Sequence, residues 1–154
     1  MTHLKEGQMA PIFEAKDQSG NTIKLDYYKG QKVILYFYPK DDTPGCTKEA
    51  CNFRDNYQKL LDEGYQVLGV NFDDQDTHKQ FAEKYDLPFP LVADPETKIV
   101  NDYGVYGLRN IMGKEMMAVD RKTFIIDEEG KIEKIIDEVK SQEATEQVLE
   151  VMGG

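Results

Sequence analysis

Val33-Ile34-Leu35-Tyr36-Phe37-Tyr38 is an unbroken run of β-branched, aliphatic and aromatic side chains, and Pro39 ends it. A short apolar run bounded by a breaker reads as a strand buried on both faces. The residues after it set how the next element begins. Pro39 to Asp42 make a turn, Thr43 has the chemistry of a helix N-cap, and Pro44 suits the first helical position, where its missing N–H costs nothing. Cys46 is then the third helical residue. Its sulfur lies among the unpaired N–H groups at the positive end of the helix dipole, and such a place favours thiolate over thiol.

The helix also has a readable face. With Cys46 at zero and about 100° per residue, Ala50, Phe53, Tyr57 and Leu60 fall within about 40° of it. Cys46 therefore sits at the exposed end of the buried stripe. Cys51, the only other cysteine, lies off that stripe at about 140°. In an intact helix the two Cα atoms are about 8.7 Å apart, whereas a disulfide needs about 4.4–6.8 Å. Chemistry that joins the two sulfurs requires the first turns to unwind. Free cysteine is more often inert filler. That reading suits Cys51 better than Cys46, where a cap, a rigid first turn and a thiol occur together. Asp41 and Asp42 oppose a thiolate if they sit close, and Lys48 and a distant arginine would have to outweigh them.

Pro39, Thr43 and Cys46 resemble the signature of the thioredoxin-fold peroxiredoxins: Pro, three residues, Thr or Ser, two residues, Cys. The longer string from Tyr36 through Cys51 to Phe53-Arg54-Asp55 is similar to the bacterioferritin comigratory protein, or Q-type, branch of that family. Its two-cysteine members carry a resolving cysteine five residues after the peroxidatic one. Further blocks match along nearly the whole chain, at Gly7–Phe13, His78–Tyr85, Leu87–Leu91, Asp102–Val105 and Arg121–Asp127. Asn71 departs from the family's commoner Ser or Thr, and Gly107–Met112 from a more basic version.

The resemblance implies a thioredoxin-like α/β fold, with a central mixed sheet flanked by helices and an N-terminal hairpin extension. It implies a thiol peroxidase acting on hydrogen peroxide and organic hydroperoxides without metal or organic cofactor. Cys46 would attack one peroxide oxygen. Thr43, the backbone N–H groups around Gly45 and Cys46, and Arg121 would hold the peroxide and stabilise developing charge. Pro39 would shield the sulfur, and Glu49 would orient Arg121. The Cys46 sulfenic acid would condense with Cys51 to a disulfide, which thioredoxin or a similar dithiol would reduce. Resolution within one chain needs no second subunit, so a monomer is expected.

Composition bounds the alternatives. A chain of 154 residues fits one domain with a sizeable core. Its formal charge of −10 disfavours nucleic acid and anionic membrane surfaces. No apolar run is long enough to span a bilayer, and the first residues lack signal- or transit-peptide character. A cytoplasmic protein is expected, where paired cysteines are catalytic or metal-binding more often than structural.

The expected order begins with a hairpin from Phe13 to Leu25 around Ser19-Gly20-Asn21. A strand Val33–Tyr38 leads to a helix from Pro44 to about Asp62, stopped by Gly64. Then come a strand 66–70, a helix 77–85, a short strand Leu91–Ala93 and a helical turn near 96–101. A hairpin of 123–126 and 131–136 comes next, and Ser141 caps a last helix to about Met152. The first strand–helix–strand unit should be parallel and right-handed, with Cys46 at the carboxyl end of a central strand.

Rival chemistries fit less well. Thioredoxin-like disulfide oxidoreductases use C-x-x-C, and the spacing here is C-x4-C. A cysteine phosphatase needs Arg where Asn52 stands. Structural zinc takes four ligands, and His3 and His78 are the only histidines; His78 reads as solvated. A non-enzymatic redox switch at Cys46 and Cys51 is separated from the enzyme by turnover. Gly107–Lys114 fails as a P-loop for want of Ser or Thr after the lysine. Asp73–Asp76 lacks the glycine of a calcium loop, with Asp76 left to cap the next helix. Met112, Met116 and Met117 read as a small apolar patch near the site, with a core role favoured over a cofactor role.

Overall fold

A computed structural model describes residues 2–153. The apolar run forms strand β3 (Lys32–Phe37) after a short antiparallel pair, β1 (Glu14–Lys16) and β2 (Thr22–Lys24). Then come α1 (Pro44–Asp55), α2 (Tyr57–Asp62), β4 (Tyr65–Asn71), α3 (Gln75–Tyr85), β5 (Leu91–Ala93) and α4 (Lys98–Asp102). The chain ends with β6 (Tyr106–Ile111), β7 (Lys114–Val119), β8 (Lys122–Ile126), β9 (Ile132–Ile136) and α5 (Ala144–Val151).

Seven strands make one mixed sheet in the order β2-β1-β5-β4-β3-β8-β9. The centre, β3–β4–β5, is parallel, and β8 runs antiparallel against β3. Alternate side chains of β3 enter different cores, as a period of two requires. Val33, Leu35 and Phe37 join Leu68, Val70 and Phe124 on one face. Ile34, Tyr36 and Tyr38 join Cys46, Ala50, Phe53 and Leu60 on the other. The unbroken apolar run thus reflects burial on both faces, and the hydrophobic face of α1 contains Cys46, Ala50 and Phe53 as the angular reading requires.

The N-terminal hairpin turns where Asp17 accepts from the Ser19 and Asn21 amides through Oδ1, at 2.9 and 3.0 Å. Tyr36 and β4 meet so closely that a Cβ on Gly69 would lie 2.9 Å from the Tyr36 hydroxyl and 3.0 Å from Leu91 Cδ2. Gly69→Ala is therefore expected to lose about 1–3 kcal/mol by overpacking, read as a lower urea midpoint with unchanged slope.

Several expectations are corrected. The long first helix is broken at Asn56, whose φ of −110° and ψ of 9° leave the helical region. Its side-chain amide donates to the Asn52 carbonyl at 2.8 Å, in place of a backbone N–H. Helix α3 is capped by Asp74, which accepts from the Thr77 amide at 2.8 Å, not by Asp76. Ser141 opens a 3-10 turn and makes no cap bond. The stretch after Tyr103, expected to lack strands before 123, forms the hairpin β6–β7. Its two-residue loop Met112-Gly113 has φ of 51° and 83°, the geometry of a type I′ turn. Met112, Met116 and Met117 are exposed on this ribbon, not in the core, because a separate two-stranded ribbon has no second layer to cover it.

Candidate active site

Strand β3 ends at the point where α1 begins. Because β8 pairs antiparallel with β3, with Lys122 opposite Phe37, the residue just before β8 arrives at the same carboxyl end. That residue is Arg121. A fork from Arg109 to both carboxylate oxygens of Asp120, each at 2.8 Å, fixes the approach. Cysteine and arginine, 75 residues apart in the chain, meet there. Arg121 Nη2 donates to Cys46 Sγ at 3.2 Å, and Nη1 donates to Glu49 Oε1 at 2.9 Å.

Gly45 permits the approach: a Cβ there would lie 3.1 Å from Arg121 Nη2. Burial pulls the Arg121 guanidinium down, but Cys46 and Glu49 together hold it above its ordinary value. Cys46 is 1% exposed and Glu49 is fully buried. Glu49 Oε2 has no partner among the described residues. Burial pushes the Glu49 carboxyl up to about 7, against the pull of Arg121.

That shift has a stability consequence. Between its ordinary value of 4.5 and about 7, the folded state holds a proton on Glu49 that the unfolded state has released. The contribution of this group to stability is present at low pH and lost as pH rises through about 7. Wild-type protein is expected to weaken relative to Glu49→Gln between about pH 5 and pH 8, read from urea midpoints of both at each pH.

Thr43 occupies the N-cap position with extended backbone, φ −100° and ψ 157°, and Pro44 takes the first helical position, as its chemistry requires. The Thr43 hydroxyl, however, turns back and donates to the Lys40 carbonyl at 3.0 Å instead of capping a helical amide. Pro39 is half-buried beside the turn. Cys51 is half-buried in the same continuous helix as Cys46, and both thiols are free. Burial pushes the Cys51 thiol up, partly offset by Arg54. Downstream of Cys51 the helix is anchored: Asn52 accepts from the Thr145 amide at 2.8 Å and donates to the Gln142 carbonyl at 3.0 Å.

His78 is buried, not solvated. It lies against Asp41, with Asn71, Tyr38 and Asp73 around the same residue. The signal was present, since His78 stands three and four residues before Phe81 and Ala82 on one helix face. Among the described residues, no three His, Cys, Asp or Glu side chains gather as a metal site would, and no helix is long and apolar enough to cross a membrane.

A sheet that delivers a thiol at a helix N-terminus to an arginine carried by the neighbouring antiparallel strand defines a thioredoxin-fold peroxiredoxin. The chain belongs to the AhpC/TSA family, which matches residues 7–135. It is 43% identical to peroxiredoxin Bcp of Bacillus subtilis, over 97% of this chain and 95% of that protein. The crystal structure of peroxidoxin BcpB from Mycobacterium tuberculosis superposes with a TM-score of 0.86 at 33% identity, covering 98% and 97% of the two chains. The bacterioferritin comigratory protein of Xanthomonas campestris, described with trapped intermediate and ligand complexes in alkyl peroxide reduction, superposes with a TM-score of 0.88 at 27% identity, covering 97% and 98%. The chain is thus a thiol peroxidase that takes a hydroperoxide and a reductant.

Proposed function

We propose that Cys46 is the peroxidatic nucleophile and Cys51 the resolving thiol of a thioredoxin-dependent peroxidase active on hydrogen peroxide and alkyl hydroperoxides. The observation that carries this is the guanidinium of Arg121 bridging Cys46 and Glu49. A fixed positive group beside the sulfur meets the charge that develops as the O–O bond breaks. The Cys46 thiolate attacks one peroxide oxygen. The S–O bond forms, the O–O bond breaks, and the leaving alkoxide or hydroxide takes a proton to become alcohol or water. Thr43 and the first-turn amides at Gly45 and Cys46 hold the peroxide oxygens, and Pro39 limits water at the sulfur.

Resolution needs motion. Both cysteines lie in regular helix, where their Cα atoms are about 8.7 Å apart by helix geometry. The first turn has no side-chain cap, whereas Asn52 ties the next turns to the C-terminal segment. Unwinding from Pro44 to Cys51 therefore stops at a fixed point. Cys51 then attacks the Cys46 sulfenic acid, giving the disulfide and water. A dithiol protein such as thioredoxin restores both thiols by exchange. A single chain suffices as a monomer, and a cytoplasmic location suits a disulfide that must be reduced in each cycle.

One equivalent of hydrogen peroxide added to reduced protein tests this, read by intact mass and thiol count. The expected result is rapid loss of two hydrogens and both thiols, reversed by thioredoxin. Gain of one oxygen with Cys51 still free would show an external resolving thiol. No fast change would remove Cys46 from the role.

A further inference from the structure

The turn that presents Thr43 and Cys46 is held from outside by helix α3, at both ends of that helix. At the buried end, His78 Nδ1 lies 2.5 Å from Asp41 Oδ2, and its Nε2 donates to the Val92 carbonyl at 3.1 Å. The other oxygen of Asp41 accepts from the Tyr38 hydroxyl at 2.6 Å and from Asn71 Nδ2 at 3.2 Å. The Asp41 amide donates to Asp73 at 2.8 Å. At the exposed end, Lys84 Nζ and the Tyr85 hydroxyl donate to the Asp42 carboxylate at 2.8 and 2.9 Å. Asp42 has a φ of 56°, a left-handed conformation that an L side chain adopts at a cost. A residue persists in such a conformation only where its surroundings over-determine it.

We propose that α3 is a strap for the peroxide-binding turn, with His78 acting through Asp41 as its buried positioning residue and Lys84 and Tyr85 as its exposed grip on Asp42. Phe81 and Ala82 already supply apolar packing from the same helix face. A buried histidine–carboxylate pair is costly as packing and gives direction instead. Both ring nitrogens of His78 face acceptor oxygens, so one proton lies on the line between Nδ1 and Asp41. An asparagine at position 41 preserves every bond: its amide donates to an unprotonated Nδ1, and its carbonyl accepts from Tyr38 and Asn71. An alanine there, or a leucine at 78, releases the turn.

The inference rests on the peroxidase reading. In a Cys51→Ser background, Cys46 is the sole thiol. Two single-turnover rates separate positioning from general damage: oxidation of Cys46 by hydrogen peroxide, which needs the pocket, and its alkylation by iodoacetamide, which does not. With His78→Leu the peroxide rate should fall at least tenfold while alkylation stays within about twofold. Asp41→Ala should fall similarly, and Asp41→Asn should recover most of that loss. Lys84→Ala/Tyr85→Phe, altered only at the exposed grip, should fold and slow peroxide about threefold with alkylation unchanged; it decides the matter if the buried variants do not fold. Unchanged peroxide rates in these variants, or alkylation falling in step, would overturn the strap. A parent that leaves Cys46 unoxidised would overturn the peroxidase reading and the strap with it, whereas a reactive parent with indifferent variants overturns the strap alone.

Discussion

Cys46→Ser is expected to reduce peroxide consumption to the background of the buffer, whereas Cys51→Ser keeps the first oxidation and loses the cycle. The difference arises from where each sulfur sits. Cys46 is buried against Arg121 Nη2 at 3.2 Å, and a hydroxyl in its place is a far weaker nucleophile at neutral pH. Cys51 has no such partner, and burial holds its thiol up. In the folded helix it is neither within reach of Cys46 nor activated. Peroxide added to Cys51→Ser should therefore leave a sulfenic acid on Cys46, seen as one added oxygen and trapped by dimedone. With excess peroxide it should proceed to the sulfinic acid. Wild-type protein should resist that second step for as long as unwinding of α1 outpaces a second peroxide. A Cys51→Ser protein that forms no sulfenic acid would show that Cys46 has been assigned the wrong role.

Arg121→Ala is expected to lower the second-order rate with hydrogen peroxide by about 10²–10³, the usual cost of removing one donor to a developing oxyanion. The fold should persist. Removing one member of a buried pair is ordinarily severe because the other charge is stranded. Here Glu49 has an escape, since burial already pushes its carboxyl up to about 7. Without Arg121 it takes a proton and becomes neutral. Circular dichroism and thermal melting at about pH 6 should show a folded protein, and stopped-flow oxidation should show the lost rate. An unchanged rate would remove Arg121 from the site. A protein that melts at room temperature would show that the pair is structural first.

The sequence by itself determined the local half of this site. The run from Val33 to Tyr38, the breaker at Pro39 and the Thr43-Pro44 start dictated a buried strand, a turn and a helix with Cys46 in its first turn. These depend on backbone conformation and on residues a few places apart, which a linear pattern records. The spacing of Cys46 and Cys51 within one regular helix was legible for the same reason. Arg121 was legible only by likeness to a family. Nothing local to it names a cysteine 75 residues away, and it is the antiparallel pairing of β8 with β3 that carries it there. The exposed β6–β7 ribbon and the burial of His78 were decided by tertiary structure. The helix period sets His78 on the face of Phe81 and Ala82, but it is the buried acceptor at Asp41 that lets an imidazole go inside. Local propensity cannot see that, because the partner that makes burial tolerable comes from the loop after a different strand.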